Sequence, residues 1–544
     1  MLTTLQSRPW RVAWLVCLAV ALVYAPGFTG FWHGDDVSNL NRAYMLSQQG
    51  TLWPDTFRLF TERVPSAGAF YRPMMMLSMA VNYAFADTHY GGWYLVNFSV
   101  HLLNTLLVLL LVSRLAARIN CDATIAAPLA ALLFGLCPSI AEGVYWMSAR
   151  ADGWVTLLSL AGVYCWAGRA DEEASRSAFA LPLLLIFALG FKESAAVVPL
   201  QMALLALAWP GRLTRAQRWA VAATFAAAAL FLAWRVYLFG NAWQVYTHDI
   251  GGSVALHTRL WAALQSIGPW WVALGQATPL LAKLYVGLVV AGIALRVLAR
   301  PTPQWRLALA LAAASGGLAL ATVFNLGGMS SLGEGGRLSY GPVAWLVIAI
   351  GVFMARPHSP KIISRRPIAR STATALFALA LVAGSGVLYG HLRAAWTAQA
   401  SLRAITLAVP AWAASHPGLT MLMVPDHDGA IVMARNAQGS LVLEPIQQAP
   451  YLHRVLPTLS SEVQLRQEQF CNGMAQRLEM VRPRLADART MAAIAERADT
   501  VWPKHVACWS KSQQKIVLRL APAMDASCEA WLASIRTGVE NCER

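Results

Sequence analysis

Apolar runs of roughly 20 residues, the length a helix needs to cross a bilayer at 1.5 Å per residue, alternate with short basic blocks over most of the chain. The first run, residues 12–28, follows Arg8 and Arg11 and has no small-x-small cleavage site near residues 24–27. It is read as a retained signal anchor that leaves the cytoplasm. Further spans are predicted at 93–112 and 123–140, from Asp152 back to Arg169, up to Phe191, and down to Arg212. The remainder fall at 219–238, 279–298, 307–325, 340–354 and 371–388. Every inner loop is then basic, and the total is about eleven spans with the N-terminus inside and the C-terminus outside.

Two apolar stretches do not fit as spans. Residues 74–86 are too short to cross and are predicted to lie as an interfacial helix in the first outer loop. Residues 260–277 are interrupted by Trp, Gln, Ser, Gly and Pro, and counting them as a span moves Arg296, Arg300 and Arg306 outside. They are read as re-entrant or interfacial.

From about His391 the pattern changes to a soluble one. Residues 419–424 and 430–434 read as strands joined by the turn 425–429, and 516–520 as a further strand. Residues 462–480, 485–497 and 527–536 read as helices. The expected architecture is an all-α polytopic membrane bundle over residues 1–391, with interfacial helices in its first outer loop. A small α+β periplasmic domain follows over 392–544.

Composition agrees with the pattern: 57% of residues are hydrophobic and 13% charged, with mean hydropathy +0.48, outside the soluble globular range. The net charge of +16 invites a nucleic-acid reading. The basic residues lie in short blocks between apolar runs, however, so they are topology signals that also meet anionic headgroups, and no nucleic-acid partner is expected. Cys471, Cys508, Cys528 and Cys542 share the C-terminal part, where two disulfides with three alternative pairings are open. Asp426, His427 and Asp428 resemble a metal ligand set, but a turn with Gly429 at positive φ explains them more simply.

Candidate chemistry falls on one side. Asp35, Asp36, Arg72, Glu142, Arg150, Asp152, Lys192, Glu193 and Arg337 all belong to outer loops or outer span ends, and Lys283 lies about one turn into its span from the outer end. Adjacent acids at a membrane boundary are costly to keep, which marks Asp35 and Asp36 as functional candidates beside the alternative of a helix cap. Carboxylates ringed by cations suit a substrate with a phosphate in the membrane plane and a nearby general base. Simpler readings exist for single residues: Lys192 neutralising Glu193, Arg150 neutralising Asp152, or Arg337 snorkelling to headgroups.

The ordered set Asp35-Asp36, Tyr71-Arg72-Pro73, Leu95-Val-Asn97 with His101 and Asn104, Glu142 to Asp152, Lys192-Glu193, and Arg337-Leu-Ser-Tyr340-Gly-Pro342 resembles the glycosyltransferase C superfamily. The similarity is greatest to the protein O-mannosyltransferases and their tetratricopeptide-bearing relatives, more distant to bacterial aminoarabinose transferases, and covers residues 12–354. One departure is that Gly336 stands where the family usually has Glu, and another is the absence of repeats in the C-terminal region.

The resemblance implies an inverting transfer of one sugar from a polyprenyl-phosphate donor to a hydroxyl acceptor, a protein or a surface glycan or lipid, at the periplasmic face of a bacterial inner membrane. Asp35 or Asp36 would be the base. Lys192 and Arg337 would be the foremost contacts to the lipid phosphate, followed by Arg72, Arg150 and Lys283. Glu142, Asp152, Glu193, His101, Asn104 and Tyr340 would support them, His101 and Asn104 equally by packing spans together. No cofactor is required, and a divalent ion at the Asp pair stays open. The alternative function is a flippase or transporter for a lipid-linked glycan, which would place charges near the midplane.

Overall fold

The computed structural model describes residues 9–32, 35–63, 70–168, 177–240, 257, 279–298, 305–323, 336–358, 367–414, 421–426, 429–435, 441–445, 505–510 and 515–520. The chain divides into two compact units, Met1–Thr29 with Asn39–Leu392, and Gly30–Ser38 with Arg393–Arg544.

The first unit is helical. Its helices are α1 (Pro9–Tyr24), α2 (Asp35–Gln48, which begins in the second unit), α3 (Leu52–Arg58), α4 (Pro73–Ala86), α5 (Tyr90–Arg118), α6 (Ala126–Gly135), α7 (Glu142–Tyr145) and α8 (Arg150–Trp166). They continue as α9 (Ala180–Phe191), α10 (Val198–Leu207), α11 (Arg215–Phe239), α12 (Pro279–Leu298), α13 (Trp305–Val323), α14 (Tyr340–Met354) and α15 (Pro367–Ala414). Among the described residues five helices are long and apolar enough to cross a membrane: Trp10–Thr29, Tyr90–Arg118, Arg215–Phe239, Gly336–Met354 and Ser371–Arg393. A sixth is obtained if Ala126–Gly135 and Pro138–Tyr145, bent by 43°, make one span. Residues 260–277 and the C-terminal helices at 462–480, 485–497 and 527–536 lie outside the described residues.

Apolar side chains on both faces show what surrounds these helices. On α9, Leu181, Leu185 and Leu189 are buried while Leu183, Ile186 and Phe187 are exposed. A helix apolar all round suits a bilayer, so the fold is that of a helical membrane protein. Helix α14 is the core of the unit: Val343, Ala344, Trp345, Val347 and Ile348 are buried, and it packs against α5, α6, α8 and α13.

Local signals set the ends. Helix α11 starts at a capping box, with Gln217 N donating to Thr214 Oγ1 at 3.2 Å and Thr214 N to Gln217 Oε1 at 3.0 Å. It stops at Gly240, whose φ of 76° a glycine adopts without a Cβ penalty. Residues 74–86 do form a helix, α4, but it is part of the packed unit, with Met75, Met79, Ala80, Asn82 and Tyr83 buried.

In the second unit β3 (Met421–Asp426) pairs antiparallel with β4 (Gly429–Arg435), with Asp426 opposite Gly429. Strands β5 (Leu441–Pro445), β6 (His505–Ser510) and β7 (Lys515–Leu520) complete a sheet of order β5-β4-β3-β6-β7, with β3 and β6 parallel. The short β1 (Cys121–Asp122) and β2 (Arg356–Pro357) pair in the first unit. The last apolar run belongs to one 48-residue helix, α15, which continues well beyond His391.

Candidate functional site

Lys192 ends the apolar α9 in extended backbone, with φ −161° and ψ 141°, and the chain turns there into the 3-10 segment Glu193–Val197. Its ammonium donates to both oxygens of Asp152, at 2.7 and 2.8 Å. Asp152 occupies the first turn of α8, where the helix dipole favours an acid. Glu193 accepts a fork from Arg72, with Nη2 at 2.7 Å and Nε at 3.1 Å. Arg72 is held just ahead of Pro73, the first residue of α4, and stacks on the Phe70 ring at 4.4 Å.

Lys192 therefore pairs with Asp152, and Glu193 with Arg72, instead of neutralising one another as sequence neighbours. Each pair ties separate elements. Burial pushes the Glu193 carboxyl up, but the charge and fork of Arg72, the segment's own backbone and Lys192 outweigh it, and the group titrates at about 2. For Lys192, burial pushes down and Arg72 adds to that, while Asp152 opposes; the ammonium ends below its ordinary range.

A third pair joins two further loops. Arg337 donates twice to Glu142, from its backbone N–H to Oε2 at 2.8 Å and from Nη1 to Oε1 at 2.7 Å. Its guanidinium lies 4.2 Å from the Trp146 ring centre and keeps 30% side-chain exposure. The neighbouring glycine now has a reason: a Cβ on Gly336 would collide with Ser139 O. A larger side chain there would not fit.

Arg150 is buried against the Trp93 face, 5.2 Å from its centre, and donates to Met147 O, Ser78 O and Asn82 Oδ1. His101, Asn104 and Tyr340 form a neutral network. His101 Nε2 is 3.0 Å from Gly135 O, which accepts only, so that nitrogen carries the hydrogen and Nδ1 accepts from Tyr340 Oη at 2.7 Å. Asn104 Nδ2 donates to Val100 O and Gly153 O, both at 3.0 Å. These three residues tie α5 to α6, α8 and α14.

Between the Lys192–Asp152 pair and the Arg337 turn lies a partly enclosed cavity of about 20 Å³, room for one water-sized group. Asp152, Thr156, Ser159, Ser194, Gln201 and Leu338 contribute to its lining. Sequence reading missed Thr156, Ser159 and Gln201, although Asp152, Thr156 and Ser159 fall at i, i+4 and i+7, one face of an otherwise apolar helix. Arg235 was missed as well. It is buried near the end of α11, stacks on Phe239 at 5.4 Å, and its charge acts with those of Arg72 and Glu193.

Lys283 is exposed and makes no ion pair or hydrogen bond with a described residue. The Asp35 side chain lies outside the described residues, and Asp36, 2% exposed, belongs with Gly30–Ser38 to the second unit. Among the described residues no group of three His, Cys, Asp or Glu is arranged to hold a metal. The free cysteines there are Cys17, Cys121, Cys137 and Cys165. No protein-family model, curated protein or solved structure matches this chain.

Proposed function

We propose that this chain is an integral membrane glycosyltransferase that moves one sugar, with inversion, from a polyprenyl-phosphate carrier to a hydroxyl acceptor on the periplasmic face of a bacterial inner membrane. The observation that carries the reading is the set of ion pairs Lys192–Asp152, Arg72–Glu193 and Arg337–Glu142, with a hydroxyl-lined cavity between the first and the last, in an apolar helical unit. Cations in such numbers suit a lipid phosphate, and the carboxylates keep them ordered when no anion is bound.

In the transfer, Asp35 or Asp36 takes the proton of the acceptor hydroxyl as its oxygen bonds to the anomeric carbon. The bond from that carbon to the phosphate oxygen breaks, and its electrons leave with the polyprenyl phosphate. The family's first acid favours Asp35 as base, with Asp36 orienting the acceptor. Of the ion-paired cations among the described residues, Arg337 is the most exposed: Glu142 occupies its Nη1 and backbone N–H, and no other described residue takes Nε or Nη2, which are left to bind an anion. Lys192 keeps a third hydrogen beyond the two it gives to Asp152.

The full architecture in this reading has about eleven spans and a C-terminal α+β periplasmic domain that helps choose the acceptor. Mass spectrometry of surface proteins and glycolipids from a deletion strain tests the function. Loss of one monosaccharide, restored by the wild-type gene, is the expected result; an unchanged glycan profile contradicts it.

A further inference from the structure

The cavity beside Asp152 carries an inference that rests on the transfer reading and extends it. Two of its lining residues hold buried polar atoms without a hydrogen-bond partner, Ser159 Oγ and Gln201 Oε1. Ser159 is 5% exposed and Gln201 1%. Both stand on apolar helices, α8 and α10, where a polar atom without a partner is costly and is kept for a purpose.

Their chemistry restricts the occupant. Gln201 Nε2 already donates to Ala314 O at 3.1 Å, so the remaining Oε1 can only accept. Thr156 spends its hydrogen on Asp152 O at 2.8 Å, leaving lone pairs alone to offer. Both Asp152 side-chain oxygens accept from Lys192. Ser159 and Ser194 carry the lining hydroxyls that can both give and take. The cavity thus wants a group that donates one hydrogen and accepts another, about the size of a single oxygen. A hydroxyl meets this by donating to Gln201 Oε1 and accepting from Ser159 Oγ. A second carboxylate or phosphate would face acceptors and has no room.

We infer that this cavity is the subsite for one hydroxyl group of the transferred sugar, with a water taking its place in the empty protein. Its position fits: Asp152 in the lining holds Lys192, and Leu338 adjoins Arg337, so an anion at those cations has its neighbouring hydroxyls within reach of Ser159 and Gln201.

Native mass spectrometry of the full chain in nanodiscs tests this. The probes are geranylgeranyl phosphate, bare and carrying glucose, mannose, galactose or arabinose. Wild type is expected to bind at least one sugar-bearing probe about tenfold more tightly than the bare phosphate. Ser159→Ala removes a hydroxyl that has no partner, so it should leave the fold and bare-phosphate binding unchanged while abolishing most of that gain. Gln201→Met should act likewise. The inference is overturned if no sugar-bearing probe outbinds the bare one, or if the gain survives both substitutions because only water occupies the cavity. Failure of wild type to bind any polyprenyl phosphate would instead sink the transferase reading itself.

Discussion

The two ends of the helical unit treat positive charge differently. Where α8 and α14 finish, arginines donate to backbone carbonyls: Arg114 to Tyr164 O, Arg118 to Ala167 O, and Arg296 to Phe353 O and Ala355 O at 2.7 and 3.1 Å. Those carbonyls are the leftover acceptors and the negative pole of a helix C-terminus, which a cation satisfies without further chemistry. Where α8 and α14 begin, Lys192 and Arg337 meet carboxylates from other elements, and a cavity with several polar groups in its lining lies between them. A cation at a helix C-terminus is already satisfied by those carbonyls. Bringing Asp152, Glu142 and Glu193 to one end therefore points to work done there.

Substitutions sharpen the contrast. Lys192→Met strands Asp152 without its ammonium and should lower stability by about 3 kcal/mol, with Asp152→Asn added to it recovering most of the loss in a thermal melt. Gly336→Ala drives a Cβ into Ser139 O and should cost about 1–3 kcal/mol while moving Arg337 off Glu142. A reactivity change of Arg337 toward phenylglyoxal, followed by peptide mass spectrometry, reads that movement. At the opposite end Arg114→Lys should cost no more than about 1 kcal/mol and leave surface glycans intact.

Acid reveals the Arg72–Glu193 pair. The Glu193 carboxyl is held at about 2 against an ordinary 4.5. A depressed carboxyl contributes stability fully above its unfolded value, so this contribution should fade as pH falls from 4.5 toward 2. Glu193→Gln should flatten that part of the stability profile measured by melting. An unaltered acid limb would mean that Arg72 is not what holds Glu193 ionised.

Much of the helical layout was legible because apolar run length and basic flanks are local signals. The predicted span 279–298 coincides with α12 and 340–354 with α14. Strands at 419–424 and 430–434 were legible for the same reason, although Pro425, Asp426 and Gly429, read as turn residues, belong to β3 and β4. Pairing was not. Lys192 adjoins Glu193 in sequence, yet extended backbone at Lys192 sends the two side chains to α8 and to the start of α4, which only packing decides. The role of Gly336 was hidden because its requirement is a contact with Ser139 O, almost two hundred positions earlier. Arg235 was missed because nothing in its sequence neighbours signals Glu193. The stripe of Asp152, Thr156 and Ser159 was readable as helical spacing, but it acquires meaning only with Gln201 opposite.

The most direct measurement is complementation of a deletion strain at matched protein levels, read as the monosaccharide content of surface proteins and glycolipids. Wild type, Arg114→Lys and Arg296→Lys should restore the missing sugar. Lys192→Met with Asp152→Asn, Arg337→Ala and the pair Asp35→Asn with Asp36→Asn should not. Full restoration by these last variants would contradict a catalytic role for the carboxylate-paired end.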